Sequence, residues 1–352
     1  MGLPSDEGAS QASATAELRA DTAALITGCW STQVIHAAVR LGVLDRFGAE
    51  AVASHEIAAA AGAHPQATLR LLRALAILGL CRDLGGGRFE LTPAGRLLRA
   101  DAPDSLAALA RHWGSRTWQA LAHLEESVRT GSPWSRGGRE GFTSMAQRPE
   151  EAAVLNQSMV EQTLQVAREI VEAYDFSPLR EVIDVGGGYG ALLSVVLERY
   201  PHLRGVSADL AYMAPEASAF LAARGLAHRA RFLPVDFFET LPAGADAYLL
   251  KYIIHDWNDR DAVEILRNTR IAAGGHGAVL LIERLLPERI GSEPPDRARA
   301  EAAVVCGDIN MMVATGGLER TQSEYRALLE TAGLALARVI PTSGAFHILE
   351  AH

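Results

Sequence analysis

Apolar residues in the first hundred positions recur three and four apart. Leu25, Ile26, Val34, Ile35, Ala38 and Val39 follow the spacing of a helix with one buried face. From Ser54, the stretch SHEIAAAAGAHPQATLRLLRALAILGL predicts two short helices about a Gly-Ala-His-Pro turn. Ser54 suits the N-cap of the first and Pro65 the opening turn of the second. CRDLGGGRFELTP predicts a hairpin closed by three glycines. The outline is helix–turn–helix plus a wing. From Ser105 to Tyr174 the pattern stays helical, broken by a Gly-, Ser-, Pro- and Arg-rich loop at Gly131–Gly141, and DFSPLR reads as a linker.

After Arg180 the periodicity changes. EVIDVG, LRGVSADL, RARFLPVD, AYLLKYIIH and GAVLLIERLL are near-continuous apolar runs, most of them separated by helical stretches such as ALLSVVLERY, PEASAFLAARG and DAVEILRNTRIAA. Strands buried on both faces and alternating with helices predict a mostly parallel α/β sheet. LALARVIPT and AFHILEAH, joined by a short Ser-Gly turn, predict an antiparallel pair at the C-terminus. The expected layout is a disordered leader over 1–13, a winged-helix-like domain over 14–102, a helical linker and pocket region over 103–178, and the α/β domain over 179–352.

Composition narrows the function. The chain has 352 residues, 49% hydrophobic and 21% charged, with a net charge of −9. That balance argues against a protein that works by neutralising nucleic-acid phosphates. The second helix of the winged outline points the same way, because its Arg70 and Arg73 are outnumbered by leucines. Cys29, Cys81 and Cys306 form no closely spaced pair, which fits a reducing, cytoplasmic setting. No apolar run is long enough to span a membrane.

The first α/β turn, VIDVGGGYGALL, carries Gly186, Gly187, Gly188 and Gly190. Glycines there let the backbone approach a ligand beside a helix N-terminus, although the fit to a dinucleotide fingerprint is loose. Asp209 ends the next strand, 23 residues after Gly186, where a carboxylate can accept both hydroxyls of a ribose. Asp236 and Phe237 follow the third strand. An acid beside an aromatic ring there suits an exocyclic amine and an adenine face.

DVGGGYG, ADL, VDFFETLP, LLKYIIHDWND, IERLLPE and GGLERTQSEY occur in this order. Together they resemble S-adenosylmethionine-dependent O-methyltransferases of the plant caffeate and flavonoid type and their bacterial relatives that act on aromatic secondary metabolites. The resemblance spans nearly the whole chain. It implies a Rossmann-like class I methyltransferase domain behind a winged-helix dimerisation domain, hence a homodimer. It implies S-adenosylmethionine as cofactor, with Gly186, Gly188, Asp209, Leu210, Asp236, Phe237 and Lys251 as its contacts. Lys251 is the single lysine in the chain.

The resemblance also makes His255 a general base for a phenolic proton, flanked by Glu283 and Glu319. Histidine suits that role because it titrates near neutrality and a carboxylate can orient its ring. Leu155 and Met159, with Asp308, Asn310 and Met311, are the expected acceptor contacts. Asn156 is expected to make only local contacts, Asp256 and Trp257 to support the turn, and Trp113 and Phe142 are further pocket candidates. No acidic cluster is expected beside the base, so no metal is expected. Some relatives have lost methyl transfer and support hydroxylation or decarboxylation, and a winged-helix DNA regulator is the remaining alternative.

Overall fold

The computed structural model describes residues 6–134, 137–291 and 297–352. The chain divides into two compact units between Ser115 and Arg116. In the first unit a helix spans Asp6–Thr27, so residues 6–13, expected in a disordered leader, are helical, and 1–5 lie outside the described residues. Helices Ser54–Ala60 and Pro65–Ile77 lie between the first and second strands of a three-stranded sheet in which β1 (Val52–Ala53) and β2 (Cys81–Asp83) flank β3 (Arg88–Leu91). Gly85, Gly86 and Gly87 close the β2–β3 hairpin, all with positive φ. Ser54 is the first helical residue and not the N-cap; its N–H donates to the Gly87 carbonyl and ties helix to wing. Ala38, Val39, Leu44, Phe47, Ile57, Leu72, Leu75 and Phe89 form this unit's core.

The second unit is built on β4 (Glu181–Val185), β5 (Arg204–Asp209), β6 (Ala230–Pro234), β7 (Ala247–Lys251), β8 (Ala278–Leu286), β9 (Arg320–Thr321), β10 (Leu336–Pro341) and β11 (Phe346–Ala351). Among the described residues the sheet order is β10-β11-β8-β7-β4-β5-β6, with β9 paired to β8 outside that path. Strands β4 to β8 are parallel, and β11 runs antiparallel to both of its neighbours. Core clusters on both faces, around Ile183, Tyr248 and Leu281 and around Val182, Leu249 and Ile282, explain the near-continuous apolar strands. Phe176, in the expected linker, is fully buried in the second of these.

Register decides where the chemistry lies. Val185 pairs with Ala208, Asp209 with Pro234 and Lys251 with Ile282, so these strands end along one carboxyl edge. Strand β8 runs past that edge, and its overhang pairs Leu285 with Arg320. That pairing brings Glu319 to the same edge as Glu283.

Candidate active site

Two clusters share this edge. The first surrounds the glycine loop. Gly186, Gly188 and Gly190 have φ of +66, +55 and +84, a backbone that a side chain would strain. No protein atom lies within 4 Å of where a Cβ on Gly188 would sit, so the loop is open above that residue. Asp209 is buried; it accepts the Gly188 N–H at 2.8 Å and the Leu210 N–H at 2.6 Å. Each oxygen keeps a second lone pair for a hydroxyl. Burial pushes this carboxyl up to about 6, with the two N–H donors opposing it.

Phe237 packs near Gly186 and joins Phe238 and Trp257 in an aromatic cluster that Phe142 extends. Asp236 is already engaged: Oδ2 accepts from Arg139 at 2.7 Å and Oδ1 from the Phe238 N–H at 2.9 Å. An exocyclic amine there would share Oδ2 with Arg139.

Lys251 ends β7, half-buried, and donates to Thr163 Oγ1 at 2.9 Å. Burial lowers its ammonium to about 8, with Asp184 and Glu283 pulling the other way. Burial likewise raises Asp184 to about 7 against the pull of Lys251. Thr163 lies on the long helix Pro149–Ala173, as do Leu155, Asn156 and Met159. Residues four apart share a helix face, so Leu155, Met159 and Thr163 form one line. Leu155 and Met159 are half-buried, and Asn156 is buried.

The second cluster surrounds His255, in a short turn after β7. Its ring is buried, and Nδ1 lies 3.1 Å from Glu319 Oε1. The same oxygen accepts from Arg284 at 3.0 Å. An ionised acceptor at Nδ1 makes that nitrogen the donor, which leaves Nε2 as the basic one. The nearest carboxylate to Nε2 is Asp256, at 3.9 Å, too far for a hydrogen bond. Glu283, fully buried, accepts the backbone N–H groups of Ile253 and Ile254 and so holds the turn. Burial alone would lower the imidazole, but Glu283, Glu319 and Asp256 outweigh it and hold His255 up at about 9. Glu283 is raised to about 7 by burial despite His255. Glu319 is lowered, since His255 and Arg284 overcome the effect of its burial.

His255, Glu283 and Glu319 place possible metal-ligating atoms within 4.8 Å of one another. This corrects the expectation that no acidic cluster forms beside the histidine. The three residues come from separate segments that only the fold unites. The cluster carries its own cations, the imidazole and the Arg284 guanidinium, and a divalent ion would face both.

The predicted acceptor contacts divide. Asp308 accepts the Glu319 N–H at 2.8 Å and so holds the residue whose carboxylate meets His255. Asn310 presents a buried Oδ1 with no hydrogen-bond partner, and Met311 is half-buried on the same helix, Ala298–Ala314. Trp113 belongs to the first unit and is partly exposed.

Four residues have structural roles in the site that their motifs did not reveal. A Cβ on Gly317 would overlap the His255 carbonyl oxygen, so this glycine lets the GGLERT loop dock on the HDW turn, where Leu318 N–H donates to that carbonyl. A Cβ on Gly307 would meet Arg284. Arg320, 1% exposed, donates to the carbonyls of Ile254, Leu318 and Trp257 and to Asp259. Arg284 and Arg320 were hidden by a sequence in which arginine takes every cationic Lys/Arg position but one.

A glycine loop, a strand-end acid and a buried histidine–carboxylate pair on one sheet edge define a class I methyltransferase. Residues 118–335 match the O-methyltransferase domain and residues 23–101 the O-methyltransferase dimerisation domain, and the chain belongs to this family. It is 40% identical to O-demethylpuromycin-O-methyltransferase of Streptomyces alboniger, over 93% of this chain and 87% of that protein. It superposes on the crystal structure of LaPhzM with a TM-score of 0.88 at 36% identity, covering 95% of this chain and 99% of the other. It also resembles NcsB1, an O-methyltransferase from neocarzinostatin biosynthesis solved with S-adenosylmethionine and 2-hydroxy-5-methyl naphthoic acid. There the TM-score is 0.75 and the identity 33%, over 91% of this chain and 95% of that one. The chain is an O-methyltransferase that uses S-adenosylmethionine, and the open, positive-φ glycine loop beside buried Asp209 fits that cofactor. Among the described residues no helix is long and apolar enough to cross a membrane.

Proposed function

We propose that this enzyme methylates a phenolic hydroxyl of an aromatic secondary metabolite, with His255 as general base and no metal. The observation that carries the reading is the buried His255 Nδ1–Glu319 contact with Nε2 left unbonded. S-adenosylmethionine supplies a methyl group already activated by its sulfonium. The protein's remaining tasks are to align the acceptor oxygen and to remove its proton. Asp209, Leu210, Asp236, Phe237 and Lys251, with Gly186 and Gly188, hold the cofactor. Leu155, Met159, Asn310 and Met311 wall the acceptor ring. His255 takes the proton at Nε2, and Glu319, fixed by Arg284, stabilises the imidazolium that results. Asp308 acts one step back, through Glu319.

The aromatic hydroxy acid bound to NcsB1 supports the acceptor class. The dimerisation domain, with Leu25, Ile26, Trp30 and Ile77 exposed in the isolated chain, supports a homodimer. A net charge of −9 argues against a nucleic-acid partner, and the free Cys29, Cys81 and Cys306 fit a cytoplasmic setting.

The test is release of S-adenosylhomocysteine across pH with a panel of phenolic acceptors. Wild type should speed up toward about pH 9 as the imidazole loses its proton. His255→Ala should be slower by about 10²–10⁴-fold, with partial recovery at high pH as the phenol ionises unaided. Equal rates near neutrality would make His255 structural. Cofactor binding with no S-adenosylhomocysteine released from any acceptor would favour a hydroxylase- or decarboxylase-like chemistry.

A further inference from the structure

Tyr252 follows Lys251 off the end of β7. Among the described residues it is the one non-glycine with positive φ, +56°. An aromatic residue in that region is strained and persists only where its surroundings hold it. Here the ring is what is held. It lies parallel to the His255 imidazole, with centroids 4.6 Å and planes 6° apart. Lys251 Nζ sits 4.4 Å and Arg284 Cζ 5.2 Å from the same ring centre, and Phe346 packs at 4.7 Å. The cationic groups of both clusters therefore meet on one neutral, electron-rich ring.

We propose that Tyr252 is a positioning residue for His255, whose ring fixes the plane of the imidazole and stabilises its cationic form between the histidine and the basic groups of Lys251 and Arg284. The proposal rests on the reading of His255 as the base. The charged groups around the imidazole are Glu319, Glu283 and Asp256, with Arg284 and Asp308 reaching it through Glu319. These set its charge balance. They do not set its tilt, because Glu319 grips a single ring atom and Asp256 lies beyond bonding distance of the other nitrogen. A parallel face removes that remaining freedom. It also gives the imidazolium a π surface where it would otherwise face an ammonium and a guanidinium.

Tyr252→Asn removes the ring while keeping a residue that tolerates positive φ, and Tyr252→Phe keeps the ring. The His255 ring is followed by NMR titration in the free protein, alongside the pH profile of kcat and calorimetry with S-adenosylhomocysteine. In Tyr252→Asn, His255 should titrate about one pH unit lower, and kcat should reach its high-pH plateau about one unit earlier with the plateau itself about tenfold lower, while affinity for S-adenosylhomocysteine stays within about threefold of wild type. Tyr252→Phe should restore both the titration and the rate. The double variant Tyr252→Asn/His255→Ala should be no slower than His255→Ala alone, because the ring acts through the histidine. Should the asparagine variant not fold, Tyr252→Gly, which relieves the backbone strain, gives the same comparison. A wild-type titration of His255 and a wild-type kcat profile in a folded ringless variant overturn the proposal. If His255→Ala turns over like wild type, the base reading falls, and the NMR titration still decides whether Tyr252 holds the imidazole.

Discussion

Single atoms decide much of this site. Asp209 spends one lone pair of each oxygen on the loop it shapes and keeps the other. Asp209→Ala should therefore weaken S-adenosylhomocysteine binding more than tenfold in calorimetry, the loss of one or two charge-assisted hydrogen bonds at ~1.5–3 kcal/mol each. An unchanged affinity would take Asp209 out of the cofactor site. Gly317→Ala sets a methyl group against the His255 carbonyl oxygen. It should cost turnover severely while sparing cofactor binding, since the glycine loop lies elsewhere on the edge. At this scale the sequence was legible wherever a motif carried its own chemistry, as with His255, Asp209 and Glu319. Tyr252 and Gly317 were not legible, because their roles depend on a stacking partner or a close approach that exists only after folding.

At the scale of elements, the length of one strand matters most. Strand β8 overhangs its parallel neighbours, and the overhang both carries Glu283 and recruits β9, which follows Glu319. Arg320 then fastens the HDW turn through the Ile254 and Trp257 carbonyls and Asp259, and braces its own loop through the Leu318 carbonyl. Arg320→Met would take its side-chain donor from the buried Trp257 carbonyl, at about 1–3 kcal/mol, while Ile254 keeps the Trp257 N–H and Asp259 faces solvent. A lowered unfolding midpoint and a slower enzyme are expected, and a variant with wild-type stability would show that the clamp is dispensable. The alternation of strands and helices made the sheet predictable. The overhang was not, since apolar runs give a strand's existence better than its end. A chelator should leave the rate unchanged, because the carboxylates of this overhang and loop already face two cations of the protein. Loss of activity with EDTA and its return with a divalent ion would reverse that reading.

For the molecule as a whole, the buried charges tie stability to pH. Asp184, Asp209, Asp256 and Glu283 titrate at about 7, 6, 6 and 7, above the ordinary carboxylate range. Between about pH 4 and 7 the native state therefore holds protons that the unfolded chain has released, and stability falls as pH rises. His255, at about 9, extends the fall: its contribution is complete below about 6.5 and lost as pH passes 9. Glu319 runs the other way, losing its contribution as pH falls below the usual range, and so does Lys251, whose lowered value of about 8 makes stability rise between about pH 8 and 10.5. Thermal unfolding without ligand should thus give a higher Tm near pH 6 than at pH 9, the reverse of the turnover profile; a Tm that holds or rises over that interval contradicts the balance drawn here. Light scattering at micromolar concentration should report a dimer, and a monomer would contradict the assembly. The chain also contains one ε-amine, that of Lys251, held at about 8 at the end of β7 in the proposed cofactor cleft. Amine-directed reagents therefore have one side-chain target in the entire sequence, and near pH 8 roughly half of it is the nucleophilic free base. A mass-spectrometric count of labelled side-chain amines, zero or one per chain, becomes a direct gauge of how full the cleft is, with no acceptor needed.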